Sequence, residues 1–403
     1  MDELGVARVA EYFSRIGRHL PHKAQRASFA TYAFGILADG ERKSAEPIAA
    51  RACADPALTR KAHDHLLHFL GVSGWANAPV RLEAARYAIE AMREQEPITT
   101  WVIDDTGFLK QGAHSVGVQR QYTGSAGKIA NCQIGVSLSV ATRHEHLPID
   151  FELYLPKSWT EDPARRHEAR IPERVVFRTK VELAIDMITR AVGDGIPGEV
   201  VLADAFYGRS NEFRDTVAGF GLDYAVAVDA DTKLWLLDAR ERRRYEPLQA
   251  REIGESLGAG GFRRVTWRDG TKAKMASRFA FRRVKVAHEG GDSPADRAAV
   301  WLVIEWVEGE DKPTKFFLTT LPRRMTKKQI VRILKERWRT ERVYEDMKGE
   351  LGLDHFEGRS FPGWHHHVSV VLCCYAFVVA ERVRHFPPSR GRRHQGGPHA
   401  CAA

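Results

Sequence analysis

The spacing of apolar positions along the chain changes twice, and each change predicts a different kind of structure. From about Val6 to Met92 apolar residues recur at helical spacing. Ser44 and Pro47 are typical of a helix start, Pro56 opens a second helix, and a third is expected over 80–92. Short helices with tight connections suit a helix-turn-helix-like DNA-binding unit, and they equally suit any small helical bundle.

The period then becomes that of strands. Thr100 to Ile103 is a β-branched and aromatic run, and the stretches 131–142 and 148–155 alternate as strands do. A helix expected over 177–192 is followed by the apolar strand Val200 to Ala203. Strands followed by a helix and a further strand predict a mixed α/β core.

A β-rich stretch separates this core from the C-terminal helices. Several strands are predicted within residues 224–321, divided by polar turns that contain glycine. One long helix is then expected from Lys327 to about Glu350, and Thr326 and Gln329 have capping-box spacing before it. The apolar run Val368 to Ala380 is too short to span a bilayer and predicts a buried helix.

These patterns divide the chain into four segments. They are a helical, candidate DNA-binding domain at 1–95, a catalytic α/β domain formed by 96–223 and 322–385, a β-rich insertion at 224–321, and a disordered basic tail at 386–403. We find no internal repeat.

Composition indicates the kind of partner and the compartment. The chain has 61 Lys and Arg against 52 Asp and Glu, a formal charge of +9. That balance favours an anionic partner such as nucleic acid, although solubility alone explains it equally well. The five cysteines form no CxxC pair, and the N-terminus has no apolar signal region. A cytoplasmic protein without membrane association is therefore expected.

Three acidic residues are candidates for catalysis. Asp105 and Asp204 each follow an apolar strand, and sites in open α/β sheets form at the carboxyl ends of strands. A single Asp in that position is more often a turn or cap residue. Glu341 lies on the predicted helix, with Arg337 four residues before it and Lys348 seven after it along one stripe. That stripe is either a solvated, ion-paired face or a metal ligand flanked by phosphate-binding groups.

Carboxylates together with basic groups suit metal-dependent chemistry on a phosphodiester. Carboxylate oxygens favour Mg²⁺ or Mn²⁺, and two such ions about 3.5–4 Å apart can activate one oxygen and stabilise another. Arg337 and Lys348 are expected to contact DNA phosphates. Arg120 and Lys128 flank the stretch 124–127, which is either a basic loop that touches DNA or a solvated turn.

Three sequence blocks resemble the catalytic blocks of DDE transposases from bacterial insertion sequences. They are Ile103–Gly107, Leu202–Gly208, and Arg337–Glu341 followed by Lys348. The resemblance covers roughly Ile98 to Tyr375 and is to the branch with a β-strand insertion before the final Glu. That branch often carries Tyr-x2-Arg-x3-Glu-x6-Lys, and Leu334 stands here at the Tyr position.

The resemblance implies an RNase H-like mixed sheet and a divalent-metal triad of Asp105, Asp204 and Glu341. It also implies cutting at terminal inverted repeats, joining of 3′ ends to target DNA, and a homodimer in the DNA complex. Asp105 is taken as the first acid because Thr106 follows it. Its neighbour Asp104, on the other face of the strand, is the alternative. A nuclease of the same fold without strand transfer and an inactive DNA-binding copy remain open as functions.

Overall fold

The computed structural model describes residues 3–242, 246–269, 274–287 and 298–386, so the predicted tail after Phe386 lies outside the described residues. Within these residues five helices precede the first strand: α1 Glu3–Gly17, α2 Lys23–Leu37, α3 Ala45–Ala52, α4 Pro56–Gly71 and α5 Asn77–Gln95. The helices predicted at Ser44 and Pro56 are confirmed as α3 and α4. Asp55 caps α4 by accepting a hydrogen bond from the backbone N–H of Ala57, as expected of an Asp at a helix N-terminus.

Within the described residues a sheet of 12 strands forms the centre of the protein. The strands are β1 Thr100–Leu109, β2 Gln119–Thr123, β3 Lys128–Ala141, β4 His146–Tyr154, β5 Val200–Ala203, β6 Asp223–Val228, β7 Lys233–Leu236, β8 Leu248–Gln249, β9 Arg263–Asp269, β10 Lys274–Val286, β11 Val300–Trp306 and β12 Lys315–Thr319. The later helices are α6 Lys157–Thr160, α7 Pro163–Glu168, α8 Lys180–Gly193, α9 Ala205–Gly208, α10 Asn211–Gly219, α11 Ala250–Ser256, α12 Lys327–Leu334, α13 Trp338–Gly349 and α14 Phe361–His385, with a 3₁₀ turn at Ala259–Gly261.

The first strands form an RNase H-like core. β1 pairs antiparallel with β3, and β3 pairs antiparallel with β4. On its other side β1 pairs parallel with β5, which pairs parallel with β6. The order β4-β3-β1-β5-β6, three antiparallel strands and then two parallel to the first, confirms the predicted mixed α/β class.

The strands of the insertion continue this same sheet. β12 pairs antiparallel with β6, and the order proceeds through β11, β10 and β7 to β8. β6, which the sequence pattern assigned to the insertion at 224–321, belongs to the parallel part of the core. β6 is held there by backbone hydrogen bonds to β5.

The long helix α14 joins the N-terminal helices to the sheet. It packs against α2, α4 and α5 on one side and against β4 on the other. One hydrophobic cluster contains residues of all these elements, so the helices within 1–95 share a core with the sheet. Among the described helices α14 alone is long and apolar enough to cross a membrane, but 83% of its apolar window is buried inside the protein. The predicted buried helix is confirmed.

Two predicted elements differ from the structure near the candidate acids. β1 continues to Leu109 because it pairs with β3 along its whole length, so Asp104 and Asp105 lie within a strand instead of after one. The single helix expected over 327–350 divides into α12 and α13. At the division, backbone N–H groups bond three residues back: Glu336 N to Ile333 O and Thr340 N to Arg337 O, both at 3.0 Å. Such a 3₁₀ turn changes which way the following side chains point.

Candidate active site

Two aspartates lie near each other where two parallel strands run side by side. β1 and β5 pair Thr100 with Val200 and Val102 with Leu202. Asp104 lies two residues further along β1, and Asp204 is the residue that follows β5; the charge of Asp204 raises the pKa of Asp104 and that of Arg337, so the three side chains are neighbours. At that position the side chain of Asp204 accepts hydrogen bonds from the backbone N–H groups that open α9. It therefore fills the capping role common for such an Asp while standing beside Asp104.

Asp104 is a buried carboxylate with a cationic partner. It is 7% exposed, and its Oδ2 accepts a hydrogen bond of 2.5 Å from Nη1 of Arg337. Burial raises the pKa of Asp104 to about 7; the Arg337 charge opposes the rise, while Asp204 and Asp105 add to it. Although burial disfavours the guanidinium charge, Asp104, Asp204 and Glu341 raise the pKa of Arg337. The guanidinium of Arg337 therefore supplies a positive charge beside the carboxyl group of Asp104.

Glu341 lies in the first turn of α13 on the same side of the sheet. Its side chain is 68% exposed, and its Oε1 is 3.6 Å from Nη2 of Arg337. One guanidinium therefore reaches Asp104 with one nitrogen and Glu341 with another. Arg337 connects the buried Asp104 on the sheet to the solvent-facing Glu341 on the helix.

Asp105 points to the opposite face of β1. Its Oδ2 accepts hydrogen bonds from Nζ of Lys180 at 2.8 Å and from the hydroxyl of Tyr207 at 3.3 Å. Lys180 is the first residue of α8, and its ammonium lies 4.0 Å from the centre of the Phe206 ring. Burial, followed by the charges of Asp105 and the neighbouring aspartates, raises the pKa of the Tyr207 phenol well above its usual value. Tyr207 thus stays a hydrogen-bond donor to Asp105.

The faces of β1 determine which aspartate stands with the other candidate acids. Val102 packs in a cluster with α12, whereas Ile103, on the other face of the strand, packs in the larger core. Asp104 consequently faces α13 and meets Arg337, while Asp105 faces α8 and meets Lys180. The geometry favours Asp104 over the sequence-based choice of Asp105 as the partner of Asp204, because residue type in the motif does not reveal which face a helix covers.

The two basic residues expected on DNA are engaged by the protein itself. Arg337 holds Asp104, and Nζ of Lys348 donates hydrogen bonds to Oγ1 of Thr106 at 2.9 Å and to the carbonyl of Gly107 at 2.7 Å. Burial lowers the pKa of Lys348. Both side chains fasten α13 to β1, so each has a structural partner in addition to any contact with DNA.

Arg120 and Lys128 lie in the β2–β3 hairpin, in strands and not in the turn between them. Both are exposed, as are the cross-strand neighbours Tyr122 and Ile129, at 66% and 60%. The hairpin is held against β1 near the aspartates by a hydrogen bond of 3.2 Å from Oγ of Ser125 to the carbonyl of Gly107. It presents basic and aromatic surface beside the acidic pair.

The carboxylate oxygens at this site suit a hard divalent ion, but they do not form a complete set of metal ligands. Asp104 and Asp204 supply carboxylate oxygens, the ligands that Mg²⁺ prefers. Among the described residues no group of three His, Cys, Asp or Glu side chains stands close enough to hold a metal. Glu341 contacts Arg337, and Asp104 and Asp204 are of the chemical kind that would hold a divalent metal, as two of its ligands.

Three residues near the acids were not singled out by the sequence. Tyr207 and Gly208 belong to the sequence block Leu202–Gly208, so their fixed distance from Asp204 could have indicated them. A Cβ on Gly208 would lie 1.9 Å from the backbone oxygen of Ala227, so only glycine lets α9 approach β6. Lys180 reaches Asp105 across 75 positions of chain and had no local signal.

The three consecutive histidines 365–367 of α14 are buried, and all have protein partners. His365 contacts Glu152 at 3.2 Å. His366 contacts backbone oxygens of residues 70 and 75, and His367 those of residues 352 and 353. They pack the last helix against its neighbours and are no part of the acidic site.

The family whose sequence profile is described as DDE superfamily endonuclease matches residues 15–274, a range that includes Asp104, Asp105 and Asp204 and ends before Glu341. A probable transposase for insertion sequence element IS701 of Microchaete diplosiphon is 28% identical over 195 residues, which are 48% of this chain and 46% of that protein. The chain thus matches about half the length of this relative. The cryo-EM structure of a piggyBac transposase synaptic complex with hairpin DNA aligns with 90% of this chain and 66% of its own, at 11% identity and a TM-score of 0.42.

Proposed function

Since this chain belongs to the DDE superfamily endonucleases, we propose that it cuts DNA at the terminal inverted repeats of an insertion sequence and joins the 3′ ends to target DNA. The observation that carries the proposal is the proximity of Asp104 and Asp204 to Arg337, whose guanidinium also reaches Glu341. Burial raises the pKa of Asp104, and a buried carboxyl group with a raised pKa beside a second carboxylate is common at functional sites.

We propose Asp104, Asp204 and Glu341 as the catalytic and metal-binding acids, with Asp105 as the alternative first acid. One or two Mg²⁺ or Mn²⁺ ions bound there would activate the attacking oxygen and stabilise the leaving one. Asp104 and Asp204 are already oriented, by the strand and by the helix cap respectively. Glu341, exposed on the first turn of α13, completes the set when Arg337 releases it.

The remaining groups position DNA and shield the site. Arg120 and Lys128 on the β2–β3 hairpin contact phosphates beside the acids, where exposed basic side chains supply affinity without reading sequence. Arg337 neutralises Asp104 until a cation arrives. Joining two transposon ends in one event calls for two copies of the chain, so we propose a homodimer on DNA, acting in the cytoplasm without a membrane.

A strand-transfer assay tests the proposal. A labelled terminal inverted repeat taken from the DNA flanking the gene is incubated with target DNA and Mg²⁺, Mn²⁺ or EDTA. We expect metal-dependent cleavage and joining, reduced more than about 100-fold in Asp104→Asn, Asp204→Asn and Glu341→Gln, because loss of even an outer partner of a metal costs about 10–100-fold. Cutting without joining would support a nuclease, and binding without cutting would support an inactive copy.

Asp105→Asn is the matched variant that separates the two aspartates. It replaces the carboxylate next to Asp104 in the strand with an amide of the same size. That carboxylate accepts hydrogen bonds from Lys180 and Tyr207. We expect it to keep Mn²⁺-induced thermal stabilisation, which depends on binding to the folded state. Asp104→Asn should lose that stabilisation. The reverse result would restore Asp105 as the first acid.

A further inference from the structure

Lys335 lies at the break between α12 and α13, and its side chain is enclosed by the later strands of the sheet. Its ammonium donates a hydrogen bond to Oε2 of Glu305 on β11. The same ammonium lies 4.9 Å from the ring centre of Trp267 on β9, 5.8 Å from that of Phe279 on β10 and 5.9 Å from that of Phe317 on β12. Four strands that pair in sequence therefore each contribute one residue around this cation. We call these five residues the Lys335 anchor.

The Lys335 anchor contains a buried ion pair. The side chain of Glu305 is 3% exposed and that of Lys335 is 17% exposed. Burial lowers the pKa of Lys335, and the charge of Glu305 opposes this change. Moving two charges out of water costs free energy that their attraction offsets only in part, so such a pair adds little stability over apolar residues of similar size. It can instead define one position for the lysine, because the ammonium meets an oxygen and three aromatic rings at once.

The anchor is close in sequence to the arginine that binds the buried aspartate. Lys335 caps the end of α12, and Arg337 caps the start of α13 two residues later. The backbone between them belongs to the 3₁₀ turn, in which Glu336 N bonds to Ile333 O at 3.0 Å. Lys335 thus reaches the later strands while Arg337 reaches Asp104. Because one residue in a hydrogen-bonded turn separates them, a shift of Lys335 carries Arg337 with it.

Other contacts hold the later turns of α13 to the core strands. The hydroxyl of Tyr344 lies 2.6 Å from Oγ of Ser137 on β3, and Lys348 donates hydrogen bonds to β1. At the start of the helix, Arg337 binds Asp104, and this contact is lost if a metal ion takes its place on the carboxylate. The Lys335 anchor is a contact of that region which does not involve the acids.

We propose that the Lys335 anchor positions Glu341 for metal binding, by fixing the start of α13 against the later strands of the sheet. Glu341 follows Arg337 by four residues, in the first turn of the helix, and its Oε1 lies 3.6 Å from Nη2 of that arginine. A helix held at its start keeps Glu341 beside the sheet when Arg337 leaves Asp104. Lys335 and Glu305 are therefore positioning residues that act through Glu341. This inference rests on the proposed function for the role of Glu341 as a metal ligand.

Binding of Mn²⁺ to the full chain, followed by electron paramagnetic resonance of the free ion, tests the inference without catalysis. Lys335→Met replaces the ammonium with an apolar group, and Glu305→Gln removes the opposite charge. We expect each variant to bind Mn²⁺ about tenfold more weakly, the lower end of the effect of losing an outer partner of a metal ligand.

The same two substitutions in a Glu341→Gln background separate positioning from general loosening of the fold. If Lys335 and Glu305 act through Glu341, they should have no further effect on Mn²⁺ affinity once Glu341 is replaced, because residues that act through one group are not additive. Equal weakening in both backgrounds is what a merely structural role produces, and it would overturn the inference.

Lys327→Met is the matched control. Lys327 opens the same helix α12, and its exposed side chain places the ammonium 5.4 Å from the centre of the Phe281 ring on β10. The substitution is therefore the same, beside an aromatic ring of the same sheet, but at the end of α12 that is farther from α13 along the chain. Mn²⁺ affinity should stay within about twofold of wild type, as for independent sites. A loss as large as that in Lys335→Met would contradict the assignment to the anchor.

A second variant keeps the inference testable if Lys335→Met unfolds because Glu305 is left buried without its partner. The double variant Lys335→Met, Glu305→Leu replaces both charges with apolar groups, a change that is often neutral or stabilising for a buried pair. Circular dichroism checks that it is folded. We expect the folded double variant to bind Mn²⁺ about tenfold more weakly than wild type. Affinity equal to that of wild type would overturn the inference.

The Glu341→Gln variant by itself keeps this result apart from the proposed function. Unchanged Mn²⁺ affinity in Glu341→Gln would remove the proposed metal role of Glu341, and the inference with it. Weaker binding in Glu341→Gln, together with wild-type affinity in Lys335→Met and Glu305→Gln, would overturn the inference and leave the proposed function.

Discussion

Arg337 donates a hydrogen bond of 2.5 Å from Nη1 to Oδ2 of Asp104, across 233 positions of the chain. The contact joins the strand that carries one candidate acid to the helix that carries another. It also fixes the start of α13, since the same guanidinium reaches Glu341 within the helix. Asp104 and Glu341 thus both contact the guanidinium of Arg337, which lies between them.

Arg337→Ala should destabilise the protein, because it leaves Asp104 buried without its partner. Breaking a buried ion pair from one side costs about 3–5 kcal/mol, and we expect about 3 kcal/mol because Arg337 is 30% exposed. Urea unfolding measures the change. Arg342→Ala is the control, since its exposed pair with Asp346 should contribute less than about 1 kcal/mol. Equal losses in the two variants would show that Asp104 does not depend on Arg337.

Lys180→Met should leave the affinity for Mn²⁺ within about twofold of wild type. Lys180 neutralises Asp105, whose side chain points to the opposite face of β1 from Asp104, so we expect its removal to leave a site built on Asp104 unaltered. Titration of Mn²⁺ followed by electron paramagnetic resonance of the free ion measures affinity without catalysis. An increase of about tenfold or more would mean that the ammonium competes with the metal for Asp105, and the first acid would then be Asp105.

Gly208→Ala should destabilise the protein by about 1–3 kcal/mol, the usual range for overpacking. The added Cβ would lie 1.9 Å from the backbone oxygen of Ala227, which cannot move without shifting β6. Gly219→Ala, at the end of α10, meets nothing within 4 Å and should be neutral or slightly stabilising. Thermal unfolding of the pair checks both. A stable Gly208→Ala protein would show that α9 can move away from β6.

The stability of the protein should fall as pH decreases below 6.5, in part through His366. Burial lowers the pKa of His366 to about 4, so between pH 6.5 and 4 the unfolded chain binds a proton that the folded chain does not. Its stabilising contribution is present above pH 6.5 and is lost as pH falls towards 4. His366→Gln should flatten this dependence by up to about 1.4 kcal/mol per pH unit. Urea unfolding at about pH 6.5, about pH 5.5 and about pH 4.5 gives the slopes, and parallel slopes in the two proteins would exclude His366 as a contributor.

Much of the fold follows from local pattern. The β-branched run at Thr100, the alternation in 131–142 and the apolar strand before Asp204 each became a strand of the core. Short-range rules were sufficient there, because alternation, capping residues and glycine act within a few positions. The motif blocks also named Asp204 and Glu341 as candidate acids, and in the structure both raise the pKa of Arg337.

Several features were decided by contacts between distant parts of the chain. Whether Asp104 or Asp105 faces Arg337 depends on which helix covers each face of β1, and a one-residue difference reverses the face. The later strands join the core sheet because β12 pairs with β6. The sequence by itself determined the class of the protein and the kinds of residue at its site, since those depend on local order. Only the tertiary structure decided which acid, cation and aromatic ring stand together, because neighbours in space are chosen by packing across the whole chain.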